Sequence, residues 1–264
     1  MAHGGGGACK VGAGPDGEYV MAKIAGWLAG AVLLGVVAPA WADEESEAGW
    51  HGGAWVVSDY VFRGVSQSQR DPAGQGELYY RTENGFYAGV WGSSVDFTAN
   101  GDDEDGVDFE IDPYIGWEFD LGEHVSADVI LVRQVYVDPL PGVDYDYNEL
   151  EATFYFGEHW FAHTGISNDV FASGENGFYW SGGGEWAVTD NFGIRAEAGW
   201  YDLDEEVGDS YGDFQLAATY TFASGVLFRV AYTDTTSYGV ENDDYVGARN
   251  QAGGRFVATV GIEF

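Results

Sequence analysis

Fifteen charged residues recur at every-second-residue spacing among apolar neighbours: Asp59, Arg63, Arg81, Glu110, Asp112, Glu118, Glu149, Glu151, Glu185, Arg195, Glu197, Asp213, Arg229, Arg255 and Glu263. Ten are acids and five are arginines. Carboxylates repeated along one wet face favour cations and repel anionic sugars or phosphates, and arginines set opposite them would supply a constriction. That chemistry is selection by an electric field, with no bond made or broken. The competing reading is structural: in a narrow interior the same charges pair across the space and close it. Asp59 and Arg63 share a face but stand four residues apart, so as strand residues they would find partners on neighbouring strands rather than each other.

Other candidates fail on geometry. His159 and His163 would share a face of a helix, but this stretch reads as a strand, where four residues span about 13 Å and leave them too far apart for one ion. Asp102-Asp103-Glu104-Asp105-Gly106 offers hard oxygen ligands, yet a calcium loop's third ligand position would fall on Gly106 or Val107. It reads as a solvated acidic loop. No Gly-x-Ser-x-Gly elbow is present, and Gly182-Gly183-Gly184 lacks the Lys-Ser/Thr of a phosphate loop. Those glycines suit strand curvature. We therefore expect no catalytic residue, no metal and no cofactor, and no lipid-facing Ser and His pair suggests a barrel enzyme.

The elements that must position the fifteen charges are strands. Phe192, Ile194, Ala196, Ala198 and Trp200 alternate with Gly193, Arg195, Glu197, Gly199 and Tyr201. Phe109, Ile111, Pro113, Ile115, Trp117 and Phe119 alternate likewise with Glu110, Asp112, Tyr114, Gly116 and Glu118. Period two means strands. Twelve such segments are predicted, at 53–63, 75–82, 86–96, 108–119, 124–136, 146–156, 159–167, 177–188, 192–202, 212–222, 225–234 and 254–264. In the fifth, Val125, Ala127, Val129 and Leu131 put Arg133 on the apolar face unless a bulge intervenes. The connections alternate long and short, starting long. An even strand number, short turns at one end, long loops at the other and aromatics near strand ends (Trp117, Trp160, Phe178, Trp186, Trp200) describe an outer-membrane β-barrel. A soluble sandwich or barrel also alternates, but it packs bulky apolar residues inward, whereas the inner set here holds arginine and glutamate.

Composition narrows the partners. The 264 residues carry 10 Lys+Arg against 44 Asp+Glu, a net charge of −34. Such a chain repels phosphate backbones, so nucleic acid is excluded as the main partner. With 16% aromatic and 45% hydrophobic residues it is not a disordered chain. Acids in the long loops, namely Asp202, Asp204, Glu205, Glu206, Asp209, Glu241, Asp243 and Asp244, are expected outside, and few lysines with high negative charge suit solubility in concentrated salt. Lys23, the apolar run Ile24 to Val37 and Ala40-Trp41-Ala42 before Asp43 form a secretory layout. We expect residues 1–20 to be an extension or misassigned start, residues 21–42 a signal peptide, and residues 43–264 an all-β, 12-stranded antiparallel transmembrane barrel. Cys9 would leave with the leader, so the exported chain forms no disulfide.

Ser58-Asp59-Tyr60-Val61-Phe62-Arg63-Gly64-Val65-Ser66-Gln67-Ser68 resembles the opening motif of the TorF-type porins, a proteobacterial family of conserved proteins of unknown function (Gcw_chp). The likeness continues through Gly85 to Phe97, Glu110, Asp112, Tyr114 and Gly116, Tyr147 and Glu149, Tyr211-Gly212-Asp213, Ala231 to Thr235 and the final strand. Tyr136 to Gly142 departs from the family's tighter aromatic-Pro-Gly pattern in the third outer loop. The resemblance implies an outer-membrane location and a pore, and brings no substrate and no catalytic residue. It also implies, from Phe256, Val260, Ile262 and terminal Phe264, the assembly signal read by the outer-membrane insertion machinery. The expected partners are outer-membrane lipid and lipopolysaccharide, that machinery, and small solutes or ions. The expected function is a narrow, cation-preferring diffusion channel; the alternative is a closed barrel whose acidic loops bind lipopolysaccharide through divalent cations.

Overall fold

The computed structural model describes residues 48–97, 106–205, 207–239 and 249–264. The expected extension and signal peptide (1–42), the acids Asp102, Asp103, Glu104 and Asp105, and Glu206, Glu241, Asp243 and Asp244 lie outside the described residues.

The strands in chain order are β1 (Gly49–Val57), β2 (Val61–Phe62), β3 (Val65–Ser66), β4 (Ala73–Arg81), β5 (Phe86–Ser94), β6 (Phe109–Gly122) and β7 (Val125–Val137). They continue with β8 (Tyr147–Phe156), β9 (Trp160–Ser167), β10 (Gly177–Thr189), β11 (Phe192–Leu203), β12 (Tyr211–Thr221), β13 (Val226–Thr236) and β14 (Arg255–Glu263). All but β2 and β3 form one closed antiparallel barrel in which each strand pairs with its sequence neighbour and β1 closes on β14. Closure leaves no strand edge unpaired, which is the condition for placing a sheet in lipid. Backbone hydrogen bonds in both directions between Gly52 and Phe264, each 2.9 Å, extend the closing ladder beyond β14.

The two faces of this sheet are the reverse of a soluble barrel. Ile115, Leu131, Leu150, Leu216, Phe228 and Val260 all point outward and are exposed. Ionisable and hydroxyl side chains fill the inside, with Glu149, Glu151, Asp112 and Asp128 each at most 2% exposed. A ring of apolar residues around a charged interior is the signature of a transmembrane β-barrel. Near the short turns an aromatic collar forms where Phe86 stacks on Trp117 at 5.0 Å and Trp160 meets Trp186 edge-on at 5.4 Å. Phe178, Trp180 and Trp200 mark the other rim.

One expectation is corrected, and one left open is settled. The first strand does not run 53–63: it is β1, and residues 58–72 leave the wall and turn inward. Alternation continues through Val57, Asp59 and Val61, but Arg63 and Gly64 both take positive φ (45° and 83°) and close a two-stranded hairpin, β2 on β3. In the strand that contains Arg133, no bulge intervenes. β7 pairs with β8 in unbroken register from Val125 to Gln134, so Arg133 does face outward. Its guanidinium bonds Asp146 at 3.2 Å just before β8 begins, at the rim where a charge stays hydrated. The variant third loop, after β7, turns through Asp138 and Gly142 at positive φ, with Val143 N–H bonding Leu140 C=O at 3.0 Å.

Candidate functional site

Thirteen of the fifteen sequence-selected residues lie on inward-facing positions of the wall, among them Glu110, Asp112, Glu118, Glu149, Glu151, Glu185, Arg195, Glu197, Asp213 and Glu263 on β6, β8, β10, β11, β12 and β14. The others are Arg81, Arg229 and Arg255 on β4, β13 and β14. Asp59 and Arg63 do not belong to the wall. They are carried by the infolded loop, which the period-two pattern could not distinguish from a strand.

That loop is built by its own hydroxyls. Asp59 accepts hydrogen bonds from Ser66 Oγ (2.5 Å) and Ser68 Oγ (3.3 Å), while Ser68 Oγ also accepts the Tyr60 N–H at 2.9 Å. Its hydrophobic side turns to the barrel interior: Val65 is 1% exposed and Tyr60 packs edge-on against Trp91 of β5 at 5.5 Å. The tip presses on the wall at β12 and β13. A Cβ at Gly64 would lie 2.6 Å from Thr235 Cγ2 and 2.9 Å from Asp213 Cβ, so only glycine fits both the backbone angle and the space.

Arg63 crosses the interior. β9 lies opposite β1 in the ring, with five strands between them on each side, and Arg63 docks on the wall around β9. Its Nη2 donates to Glu149 Oε2 on β8 at 2.7 Å and stands 4.0 Å from Glu151 Oε1. The guanidinium carbon sits 4.3 Å from the Tyr179 ring on β10, 4.5 Å from Tyr201 on β11 and 4.5 Å from Phe62 of its own hairpin. Burial opposes its charge, but the Glu149 carboxylate that it bonds, together with Tyr201 and Tyr147, outweighs that, so Arg63 is held above its ordinary range. A second latch ties the loop to β14: Arg255 Nη1 to Asp59 Oδ2, 3.0 Å, and Nη2 to the Gly64 carbonyl, 3.0 Å. Asp59 and Arg63 thus pair with different walls, Asp59 with a neighbouring strand and Arg63 with one across the ring.

Deeper, toward the short turns, the charges pair locally. Arg81 reaches Glu118 at 2.6 Å, and Arg195 contacts Glu197 at 2.8 Å and Glu185 at 3.6 Å while lying 4.0 Å over the Phe161 ring. Arg229 bonds Gln215. Glu263 accepts from Trp55 Nε1 at 3.3 Å, and, nearer the long loops, Asp213 accepts from the Tyr179 hydroxyl at 3.3 Å.

Two further interior acids were missed. Glu77 accepts a 2.5 Å bond from Tyr114, and Asp128 a 2.6 Å bond from Tyr87. Glu77 shares its strand parity with Arg81, which could have revealed it. Asp128 sits among Ile130 and Val132 on an inner face as apolar as the outer one, which hides the phase of β7. Of the two histidines, His163 is buried inside against Thr153 Oγ1 at 3.0 Å, and His159 lies at the turn end beside the Glu185 carbonyl. Among the described residues no cluster of His, Cys, Asp or Glu has metal-holding geometry. Glu110 Oε2, Asp112 Oδ1, Glu151 Oε2 and both polar atoms of Gln134 are buried with no hydrogen-bond partner. All belong to β6, β7 and β8, so one arc of the inner wall carries four unspent acceptors and one unspent donor, Gln134 Nε2.

Residues 42–262 match the family described as "Bacterial protein of unknown function (Gcw_chp)". The chain belongs to that family. No curated protein sequence matches it. Among solved structures it is similar to the KdgM porin in complex with disordered oligogalacturonate, with TM-score 0.52 and 7% identity over 81% of this chain and 99% of that one. It is also similar to a second KdgM porin structure, with TM-score 0.50, 7% identity and the same coverage. At that identity the likeness speaks for the fold, a barrel of the outer-membrane kind.

Proposed function

We propose that this member of the Gcw_chp family is a passive diffusion channel of the bacterial outer membrane, narrow and cation-preferring, with the infolded hairpin as its constriction. The observation that carries this reading is the inner wall. Its carboxylates outnumber its guanidiniums, and several acceptors have no protein partner. A low-dielectric ring of this kind lowers the free energy of a passing cation and raises that of an anion. The oligogalacturonate named with the KdgM porin is a polyacid, which this interior would repel. A leader at residues 21–42 would bring the chain to the periplasm, and Phe256, Val260, Ile262 and Phe264, all on the outer face, would be read by the insertion machinery. No covalent step is invoked.

The test is to fold the chain into planar bilayers and measure single-channel steps and the reversal potential across a potassium chloride gradient. Discrete steps with a cation-selective potential are expected; anion selectivity would refute the reading. A second reading is favoured by the depth of the Arg63 dock, where Tyr147 and Tyr201 are at most 1% exposed. In it the barrel stays shut and the outer acids, such as Asp202, Asp204 and Asp209, hold divalent cations shared with lipopolysaccharide. Heat-shifted, fully folded barrels that never conduct would favour it.

A further inference from the structure

The seat of Arg63 is a recognition site in its own right. Two tyrosine rings, Tyr179 and Tyr201, stand 4.3 Å and 4.5 Å from the guanidinium carbon, and Glu149 binds its edge at 2.7 Å with Glu151 behind. Aromatic faces joined to carboxylates recognise flat, weakly hydrated cations, and guanidinium above all. The space is provided by Gly165 on β9, where a Cβ would lie 2.7 Å from Arg63 Nη2 and 2.9 Å from Glu149 Oε1. Every one of these wall groups belongs to the barrel, whereas the cation arrives on a loop from the opposite side. The fit is also incomplete: Arg63 Nη1, Glu149 Oε1 and Glu151 Oε2 are buried without hydrogen-bond partners, so the loop arginine does not use the acceptors around it fully. Its backbone sits at φ 45°, a conformation non-glycine residues seldom take.

We propose that the β8–β11 wall is a binding site for guanidinium-bearing solutes, and that Arg63 is a tethered stand-in which occupies it while the hairpin constricts the channel. A free guanidinium compound displaces Arg63, the hairpin leaves the interior, and the solute that widens the channel is the one it admits. This rests on the channel reading and names its solute class.

The test uses the full chain folded in detergent, with methylguanidinium chloride as probe. By calorimetry Arg63→Ala is expected to bind it at least about tenfold more tightly than the unaltered chain, because a tethered competitor acts at an effective concentration in the millimolar range. Adding Glu149→Gln should abolish that binding, and potassium or methylammonium chloride at equal ionic strength should not reproduce it. In the unaltered chain, methylguanidinium should raise amide hydrogen exchange in residues 58–72. A folded Arg63→Ala barrel that binds no better, or binds equally well without the Glu149 charge, overturns the proposal. If Arg63→Ala does not fold, Gly165→Ala serves, since its methyl group meets only the movable ends of two side chains. It should raise exchange in 58–72 by itself and remove the response to methylguanidinium; an unchanged response overturns the proposal. Calorimetry does not depend on conduction. A barrel that binds but never conducts refutes the channel and keeps the site, and one that conducts without binding does the reverse.

Discussion

Arg81 and Glu118 show what a single charge is worth inside this barrel. Their side chains are 10% and 9% exposed, and they meet at 2.6 Å. Removing one partner of a buried pair strands the other, which costs about 3–5 kcal/mol, while removing both charges costs much less. Arg81→Ala should therefore lower the urea midpoint of the folded barrel, and Arg81→Ala with Glu118→Gln should recover most of the loss. Arg133 is the control. It bonds Asp146 at 3.2 Å, but its side chain is 42% exposed, and exposed pairs contribute about 0–1 kcal/mol. Arg133→Ala should leave the midpoint within measurement error.

The hairpin takes no part in the strand ladders of the barrel. β1 has its ladders to β4 and β14, and β2 and β3 pair only with each other. Replacing residues 60–67 with a short Gly/Ser linker should leave heat-shifted gel mobility intact while raising single-channel conductance severalfold; unchanged conductance would mean the constriction lies elsewhere. This element is also where the sequence was hardest to read. Period two places strands reliably wherever one face is charged and the other greasy, as in β6, β11 and β14, and long-short alternation sets which end is which. It fails at Val57 to Phe62, because a loop that packs its own apolar side into the interior alternates as a wall strand does. The turn at Arg63-Gly64 depends on φ angles and on space left by Thr235 and Asp213, neither of which is local in sequence. It fails again at β7, whose inward Ile130 and Val132 erase the contrast between faces. The inward charges were legible residue by residue, but their pairing was not, since Arg63 with Glu149 joins positions 86 residues apart.

At the scale of the whole molecule, an interior rich in carboxylates sits inside a chain of net charge −34, and salt separates the two contributions. Raising ionic strength from 0.1 M to 1 M shortens the Debye length from about 10 Å to 3 Å and screens the outer charge far more than the enclosed one. Cation over anion permeability should thus fall with salt yet stay above unity, and Glu110→Gln with Asp112→Asn should reduce the part that survives in 1 M salt. The route by which this molecule is made follows from where the plug is anchored. Arg63 needs β8 to β11, and Asp59 needs Arg255 of β14, so the hairpin has no complete seat until the last strand has joined the first. Contacts of such long sequence separation form late, after the loop-closure entropy of the intervening chain has been met. Each newly assembled barrel must therefore pass through a stage in which the wall is whole and the lumen not yet constricted. A freshly inserted population should conduct strongly at first and then settle to the lower, constricted level as the hairpin docks, a time course that records the final step of folding.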